Sequence, residues 1–457
     1  MLLFLLLAGV AFYAWRVRRR EHLLQPWRRL VRSRSGVASA VVLLAFVAVG
    51  VLDSLHFRLP LERPTNNARL HYSPEVLSVF DLLAGPLRKQ LEKTYSAPFA
   101  VHLFTKETIE LPGGKQTRDF PRLKYGGAHL RDPVADRAAD IAVTAAKGVL
   151  YALVSCAVMT ALLVLWLARR RGVSPGAAWM LIRHGHDEIP WRTLLATIGL
   201  LILFVCLAAL LSAKYHLLGT DKVGQDVFYL ALKSIRTGLM IGTLTTLVML
   251  PFALLLGIMA GYFRGWVDDV IQYTYTTLSS IPGVLLIAAA VLILQVYMDS
   301  NPDMFDTVAA RADIRLLFLC IILGVTSWTG LCRLLRGEAL KLREMEFIQA
   351  ATAFGVGHFR IIARHILPNV MHIVLISIVL DFSGLVLAEA VLSYVGVGVD
   401  PSMQSWGNMI NGARLEMARE PMVWWSLLAA FVFMFVLVLS ANLFSDRVRD
   451  AFDPRVR

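Results

Sequence analysis

Residues 349–368 read Gln-Ala-Ala-Thr-Ala-Phe-Gly-Val-Gly-His-Phe-Arg-Ile-Ile-Ala-Arg-His-Ile-Leu-Pro. This segment carries charges, is interrupted by glycine and lies between two apolar runs. Phe347, Ala351 and Phe354 recur at i, i+4 and i+7, a spacing that places all three on one face of a short helix. An apolar stripe on a short helix held against a membrane is suited to a groove in a soluble partner.

The glycine and proline residues of the segment predict where its helices end. Gly355 and Gly357 indicate a break after the first helix, because glycine adopts the backbone angles of a sharp turn. A second short helix should follow, with Arg360 and Arg364 one turn apart, and Pro368 should end it. The segment therefore predicts a helix–turn–helix plug, with an ordinary amphipathic loop helix as the alternative.

The composition indicates a membrane protein. Hydrophobic residues make up 57% of the chain and charged residues 17%, which is too apolar for a soluble protein of this length. A span must cross about 30 Å of hydrocarbon. Runs long enough to do so occur near residues 37–53, 147–168, 191–212, 236–261, 280–297, 314–332, 371–395 and 424–444.

Residues 1–15 are a ninth, marginal candidate span. As a helix they would reach only about 22 Å at a rise of about 1.5 Å per residue. They do not resemble a secretory signal, because the basic cluster follows the apolar run and no A-x-A cleavage site is present. We expect a short anchor helix with its N-terminus outside.

The net charge of +13 is concentrated in short segments between spans. One cluster follows a span directly at Arg169, Arg170 and Arg171. The other comprises Arg16, Arg18, Arg19, Arg20, Arg28, Arg29, Arg32 and Arg34. Short arginine-rich loops stay in the cytoplasm. The location of the charge therefore indicates which loops are cytoplasmic and predicts contact with anionic lipid headgroups. It argues against nucleic-acid binding.

The arginine clusters and the order of the spans predict the same topology. If the loop at 333–370 is cytoplasmic, counting spans backwards places both arginine-rich segments, 16–36 and 169–190, in the cytoplasm as well. The tail from about residue 445 is then inside, and the segments expected outside are 54–146, 213–235, 298–313 and 396–423. Residues 54–146 mix charges with turn-forming residues and are long enough for a small extracytoplasmic domain.

The segment at 349–368 resembles the cytoplasmic EAA coupling loop of ATP-binding-cassette (ABC) importer permeases. That loop is written EAA, three residues, Gly, nine residues, then I-x-L-P. The matching residues are Ala350, Ala351, Gly355, Leu367 and Pro368. Gln349 stands at the position of the Glu, and His365 at the position of the Ile.

Further segments are similar to the C-type subunits of dipeptide and oligopeptide permeases. Leu218–Asp226 resembles their L-G-T-D-x-x-G-R-D signature, with Gln225 in place of the Arg. The other matching segments are Gly261–Asp269 followed by Ile281–Pro282, Glu389–Gly398, Ser405–Gly407 and Asp446–Pro454. The resemblance covers about residues 214–457. It implies an all-α polytopic membrane protein with a type I ABC importer permease core.

The N-terminal half of the chain departs from the pattern of these permease subunits. We expect residues 1–53 to hold the anchor, a basic segment and the first core span, and residues 54–146 to form an extracytoplasmic insert. Residues 147–212 would then be an extra transmembrane hairpin before the core at 213–457. Alternatively, residues 191–212 are the first core span and everything before them is an added module. Both arrangements give the same topology.

The sequence indicates no enzymatic centre. A G-x-x-x-x-G-K-[ST] phosphate loop is lacking, since Gly113–Lys115 has the wrong spacing. His184, His186, Asp187 and Glu188 are compatible with a metal site, but a solvated polar loop is the stronger interpretation. The four cysteines lie in or beside apolar runs without a disulfide or metal-ligand spacing. We therefore expect no cofactor, no metal and no catalytic residue.

Two carboxylates interrupt the apolar run at 371–395. Asp381 and Glu389 are eight residues apart, so they point about 80° apart on a helix, and both could face the bundle interior. Ionisable groups in a membrane are costly, so they are candidates for lining a translocation path. Structural hydrogen bonds to neighbouring helices are the alternative.

The resemblance also implies partners and a function. It implies a second, homologous permease subunit, two ABC ATPase subunits and an extracytoplasmic solute-binding protein. The ATPases would dock on the loop at 347–368, through Phe347, Gln349, Ala350, Ala351, Phe354, Gly355 and Pro368. The expected cargo is peptides, with nickel or another non-peptide solute as an alternative. A competing hypothesis is a non-transporting scaffold or regulator of envelope proteins. A secondary transporter is disfavoured, because neither inverted repeats nor paired midplane charges are evident.

Overall fold

In the computed structural model, the described part of the chain comprises Gly9 and residues 21–60, 72–110, 116–184, 188–301 and 307–452. Eight helices in this part are long and apolar enough to cross a membrane, which confirms the eight predicted spans. Helices suit this role because they satisfy their own backbone N–H and C=O groups, which hydrocarbon cannot do. Apart from Gly9, the candidate anchor at 1–15 lies outside the described residues.

Helices dominate the chain, and short strands occur only near its N-terminal end within the described residues. The N-terminal elements are α1 (Glu21–Arg32), α2 (Arg34–Ser54), β1 (His56–Pro60), β2 (Tyr72–Ser78), α3 (Val79–Leu83), α4 (Gly85–Lys89), β3 (Glu107–Glu110) and β4 (Gln116–Asp119). Next come α5 (Arg137–Arg171), α6 (Pro175–His184), α7 (Trp191–Ser212), α8 (Val227–Phe263), α9 (Trp266–Ser280), α10 (Gly283–Ser300) and α11 (Val308–Arg343). The last are α12 (Glu346–Ala353), α13 (His358–Ile361), a π-helical turn (Ile362–Ile366), α14 (Leu367–Tyr394), α15 (Trp406–Glu416) and α16 (Trp425–Phe452).

Local sequence sets the ends of several of these helices. Ser33 begins α2, because its hydroxyl accepts a hydrogen bond from the backbone N–H of Gly36 at 3.1 Å. Thr307 and Ser405 begin α11 and α15 in the same way. Gly172 ends α5 in a left-handed conformation, a common helix stop.

The chain divides into two compact units. The first unit comprises residues 1–30, 238–403 and 441–457, and the second comprises residues 31–237 and 404–440. In the first unit, α11 packs against α10 and α14. Its core contains fully buried side chains from three successive long helices, among them Met249, Leu335 and Val374. This packed bundle is the rigid support on which the segment at 346–366 is mounted.

The second unit contains α5, α7 and residues 54–146, which we call the insert segment. Helices α5 and α7 pack along each other, and α2 packs against α7. The link between α5 and α7 forms α6, whose Ala178 and Ile182 are buried against Leu167. In the insert segment, β1 pairs with β2 and β3 pairs with β4, both antiparallel.

The insert segment is bonded to the Leu218–Asp226 motif. The backbone N–H of Ser96 donates to the Thr220 hydroxyl at 2.7 Å, and the N–H of Glu92 donates to the Gly224 carbonyl at 3.0 Å. Trp425 of α16 donates its indole N–H to the Thr220 carbonyl at 2.9 Å. The insert segment therefore folds onto this motif, within one compact unit.

A buried histidine links two carboxylates at this junction. His216 Nδ1 lies 2.7 Å from Asp226 Oδ2, and His216 Nε2 lies 3.4 Å from Glu92 Oε1. Burial opposes the charge on His216, but hydrogen bonds to Asp226 and Glu92 outweigh it and raise the pKa of His216 to about 9. Burial likewise opposes ionisation of Glu92. Hydrogen bonds from His216 and from the backbone N–H groups of Lys124, Tyr125 and Gly126 nevertheless lower the pKa of Glu92 to about 2.

These pKa values predict how the stability of the junction depends on pH. Charged His216 contributes fully to the free energy of unfolding below its ordinary pKa of 6.5. This contribution is lost as the pH rises towards about 9. Ionised Glu92 contributes fully to the free energy of unfolding above pH 4.5, its ordinary pKa. This contribution is lost as the pH falls towards about 2. Each pKa unit between the folded and unfolded states corresponds to about 1.4 kcal/mol.

We therefore expect the unfolding temperature of the purified chain to fall between pH 6.5 and pH 9. In His216→Gln the temperature should be lower at pH 6 and nearly flat over that range, whereas the control His102→Gln should keep the wild-type slope. Equal slopes in all three proteins would show that His216 is not charged in the folded state.

Candidate functional site

The first helix of the candidate loop ends in a glycine-dependent turn. Helix α12 ends at Ala353 with Phe354 as its C-cap residue, and Gly355 follows with φ of +72°. The N–H of Gly355 donates to the Thr352 carbonyl and the N–H of Val356 to the Ala351 carbonyl, both at 3.0 Å. These two bonds form a Schellman motif, which places glycine at the left-handed position. The predicted break at Gly355 is confirmed.

The second helix continues into the membrane span, so the prediction that Pro368 ends it is wrong. Helix α13 runs into a π-helical turn at Ile362–Ile366, and α14 begins at Leu367. Pro368 lies in the first turn of α14. Proline is tolerated there, because the N–H that it lacks has no obligatory partner in a first helical turn. The wider turn, closed by the N–H of Leu367 donating to the Ile362 carbonyl, precedes the proline.

The loop buries isoleucines on one side and exposes aromatic rings on the other. Ile348, Ile361 and Ile366 are fully buried in the core of the first unit. Phe354 is 87% exposed and Phe359 84% exposed. We define the loop face as the exposed residues Phe347, Gln349, Ala350, Phe354 and Phe359. Large exposed aromatic side chains on a fixed backbone are typical of an interaction surface.

The sequence interpretation placed Phe347, Gln349, Ala350 and Phe354 on this loop but missed Phe359. Helical periodicity could not have found it, because the Gly355 turn lies between Phe354 and Phe359 and resets the register. An apolar ring two residues after a second glycine was the only available signal. Ala351, by contrast, is half-buried and packs against the core beside Val356.

Polar contacts hold the loop against the ends of the long helices. Tyr262 Oη at the end of α8 lies 2.8 Å from His358 Nδ1, and Arg343 donates to the Tyr262 carbonyl at 2.8 Å. Arg336 on α11 makes a two-pronged ion pair with Asp268 on α9, at 2.6 and 2.7 Å. Paired hydrogen bonds of this kind fix orientation as well as distance. These contacts join His358 of the loop to α8, and they join α8 and α9 to α11.

A recess of about 460 Å³ lies beside the loop face. It is lined by Tyr262, Phe263, Arg343, Glu344, Ile348, Gln349, Thr352, Ala353 and His358. The Gln349 amide, at the position of the Glu in the EAA pattern, donates to the Glu344 carbonyl at 3.2 Å. The neutral side chain thus keeps a fixed orientation at the rim of this recess.

The structure separates the two intramembrane carboxylates. Asp381 and Glu389 both lie on α14, about 12 Å apart along its axis. Glu389 is buried and accepts a hydrogen bond from the Ser393 hydroxyl at 2.7 Å, whereas Asp381 is half-buried. Neither carboxylate contacts the loop face.

The residues weighed as a metal site are only partly described. His186 and Asp187 lie outside the described residues. Within the described part of the chain, no group of three or more His, Cys, Asp or Glu side chains could hold a metal ion.

Comparison with known proteins identifies the family. The family model for the binding-protein-dependent transport system inner membrane component matches residues 253–457. The glutathione transport system permease protein GsiD of Pectobacterium atrosepticum is 32% identical over 244 residues, which cover 53% of this chain and 73% of that protein. The oligopeptide transport system permease protein OppC of Mycobacterium bovis is 30% identical over 285 residues, covering 62% of this chain and 87% of that protein. The chain belongs to this permease family.

The resemblance found in the sequence is thereby confirmed. Members of this family are multi-pass inner-membrane permeases of ABC importers, which work with another permease, ATPases and a binding protein. Among solved structures, a chain of the MetNI methionine ABC transporter is similar with a TM-score of 0.38 and 16% identity. That similarity covers 49% of this permease and 97% of the MetNI chain.

Proposed function

We propose that this permease imports peptides as one of two related transmembrane subunits of an ATP-driven ABC importer. The observation that carries the proposal is the loop face, where Phe354 and Phe359 are exposed on a backbone fixed by the Gly355 turn. The names of the relatives support the cargo class, since they denote glutathione and oligopeptide permeases.

The energy is proposed to come from two separate ATPase subunits that dock on the loop face. The sequence has no G-x-x-x-x-G-K-[ST] motif with which to bind nucleotide phosphates. Closure of the ATPases would push the loop, and the contacts of Tyr262 with His358 and with Arg343 would carry that movement to α8 and α11. Movement of packed helices would then expose a path alternately to each side of the membrane.

Asp381 and Glu389 are proposed to differ in role along that path. Glu389, buried and hydrogen-bonded within its own helix, suits a structural role. The Asp381 carboxylate has no hydrogen bond or ion pair with any residue that the structure describes, and it is the better candidate for contacting cargo. A solute-binding protein on the outer side would deliver that cargo.

The experiment that tests this function is purification of the permease from its native membrane in mild detergent. We expect a related permease and an ABC ATPase to co-purify. The complex in liposomes, supplied with its binding protein, should take up short peptides only with ATP. A complex without an ATPase would support the scaffold hypothesis, and uptake restricted to nickel or another non-peptide solute would overturn the proposed cargo.

The proposed topology has its own test, in a background that lacks the four native cysteines. Ser73→Cys and Thr117→Cys in the insert segment should react with a membrane-impermeant thiol reagent in intact cells. Ser174→Cys, between α5 and α6, should react only after lysis. The reverse pattern would place the loop face outside and remove it from any cytoplasmic ATPase.

A further inference from the structure

A polar cavity lies where two membrane spans of the second unit begin. Helices α2 and α7 pack against each other, and Arg32, just before α2, forms an ion pair with Glu188, just before α7. Their first residues therefore lie at the same end of the helix pair. The cavity between them has a volume of about 700 Å³, and its lining includes Arg34, Trp191 and Arg192.

The cavity carries a surplus of positive charge. Among the described residues, its lining contains three arginines and one carboxylate, and that carboxylate, Glu188, is already paired with Arg32. The side chains of Arg34 and Arg192 are exposed and make no hydrogen bond or ion pair with any residue in the described part of the chain. Pro190, the N-cap residue of α7, gives the first turn no side-chain hydrogen bond, so the positive end of that helix adds to the field. Two guanidinium groups converging on one recess match the oxygens of a phosphate.

The surroundings favour a lipid over a dissolved anion. The helices that leave the cavity are apolar membrane spans, with Leu44 of α2 65% exposed and Leu200 of α7 67% exposed. Trp191 lines the cavity as the first residue of the apolar helix α7, and tryptophan prefers the interface between water and hydrocarbon in membranes. A phospholipid fits both the basic cavity and the apolar helix surfaces beside it, because its phosphate is anionic and its acyl chains are apolar.

We propose that this cavity binds the headgroup of an anionic glycerophospholipid, with Arg34 and Arg192 holding the phosphate and the acyl chains lying along α2 and α7. This lipid site would tie the extra hairpin to the membrane surface. It goes beyond the proposed transport function and does not depend on it. Basic recesses between membrane helices are known to suit such headgroups.

The test compares lipid binding to the delipidated full-length chain by native mass spectrometry, with phosphatidylglycerol as the probe. Removing two headgroup-facing arginines should weaken binding about 30-fold in Arg34→Gln/Arg192→Gln. The control Arg169→Gln/Arg170→Gln removes the same charge outside the cavity and should stay within about twofold of wild type. Phosphatidylcholine should bind weakly to all three proteins.

Two outcomes would overturn the proposal. If the control pair loses as much affinity as the cavity pair, binding reflects diffuse surface charge. If inorganic phosphate displaces the lipid and phosphatidylglycerol is not preferred over phosphatidylcholine, the cavity takes a free anion. Should the double variant fail to fold, the single variants Arg34→Gln and Arg192→Gln give the same test, with about fivefold expected from each.

Discussion

Replacing Gly355 by valine is expected to leave the permease in the membrane at near wild-type amounts while disconnecting ATP hydrolysis from transport. Gly355 has φ of +72°, and a Cβ at this position would meet no atom within 4 Å. The cost is therefore backbone strain alone, about 1–2 kcal/mol for an ordinary residue and more for a β-branched one. That strain is small against the stability of the helix bundle. It is sufficient to open the Schellman turn and redirect Phe354 and Phe359.

Uptake by Gly355→Val should fall about 5- to 30-fold, in line with the population shift that 1–2 kcal/mol produces. The matched control is Gly355→Asn, because asparagine tolerates the left-handed conformation, and it should transport at close to the wild-type rate. Phe354→Asp should reproduce the valine phenotype by removing apolar contact. Wild-type uptake and substrate-stimulated ATP hydrolysis in both Gly355→Val and Phe354→Asp would show that the loop is not the coupling element.

Gly224→Ala is expected to destabilise the junction between the insert segment and the Leu218–Asp226 motif. Gly224 has φ of +77°, and a Cβ there would lie 1.9 Å from the carbonyl oxygen of Glu92. Relief requires the Glu92 backbone to move, which would break its 3.0 Å hydrogen bond to Gly224. It would also displace the Glu92 side chain from His216. Backbone strain in the left-handed conformation and overpacking together predict that the free energy of unfolding falls by about 2–5 kcal/mol.

Gly172→Ala separates strain from steric overlap. Gly172 has φ of +65° but a Cβ there would meet nothing within 4 Å. The free energy of unfolding of Gly172→Ala should therefore fall by only about 1–2 kcal/mol. Unfolding temperature and steady-state level in the membrane measure both variants. Equal losses in the two proteins would show that Glu92 and Gly224 are not in contact.

The spans were predictable because each is a long, predominantly apolar run that a membrane forces into a helix. The loop helix was predictable because Phe347, Ala351 and Phe354 follow one helical period before a glycine. The end of the second helix could not be predicted, because a π-helical turn changes the hydrogen-bond register ahead of Pro368. No local pattern signals such a turn.

The junction of the insert segment could not be predicted from the sequence for a different reason. Glu92 and His216 are 124 residues apart, so no spacing rule connects them. The strands were also hidden, since β4 at Gln116–Asp119 is exposed along its whole length and shows no apolar alternation. Long-range polar contacts, unlike apolar periodicity, have no signature in one sequence.

We propose that ATPase subunits contact the permease through the loop face. A photoreactive benzoylphenylalanine in place of Phe354 tests it directly in membranes that contain the assembled importer. Leu415 on α15 is 72% exposed and provides a control position on the side proposed to be external. We expect ultraviolet light to cross-link position 354, but not position 415, to a nucleotide-binding subunit. The absence of an adduct at 354, or equal yields at the two positions, would contradict the account.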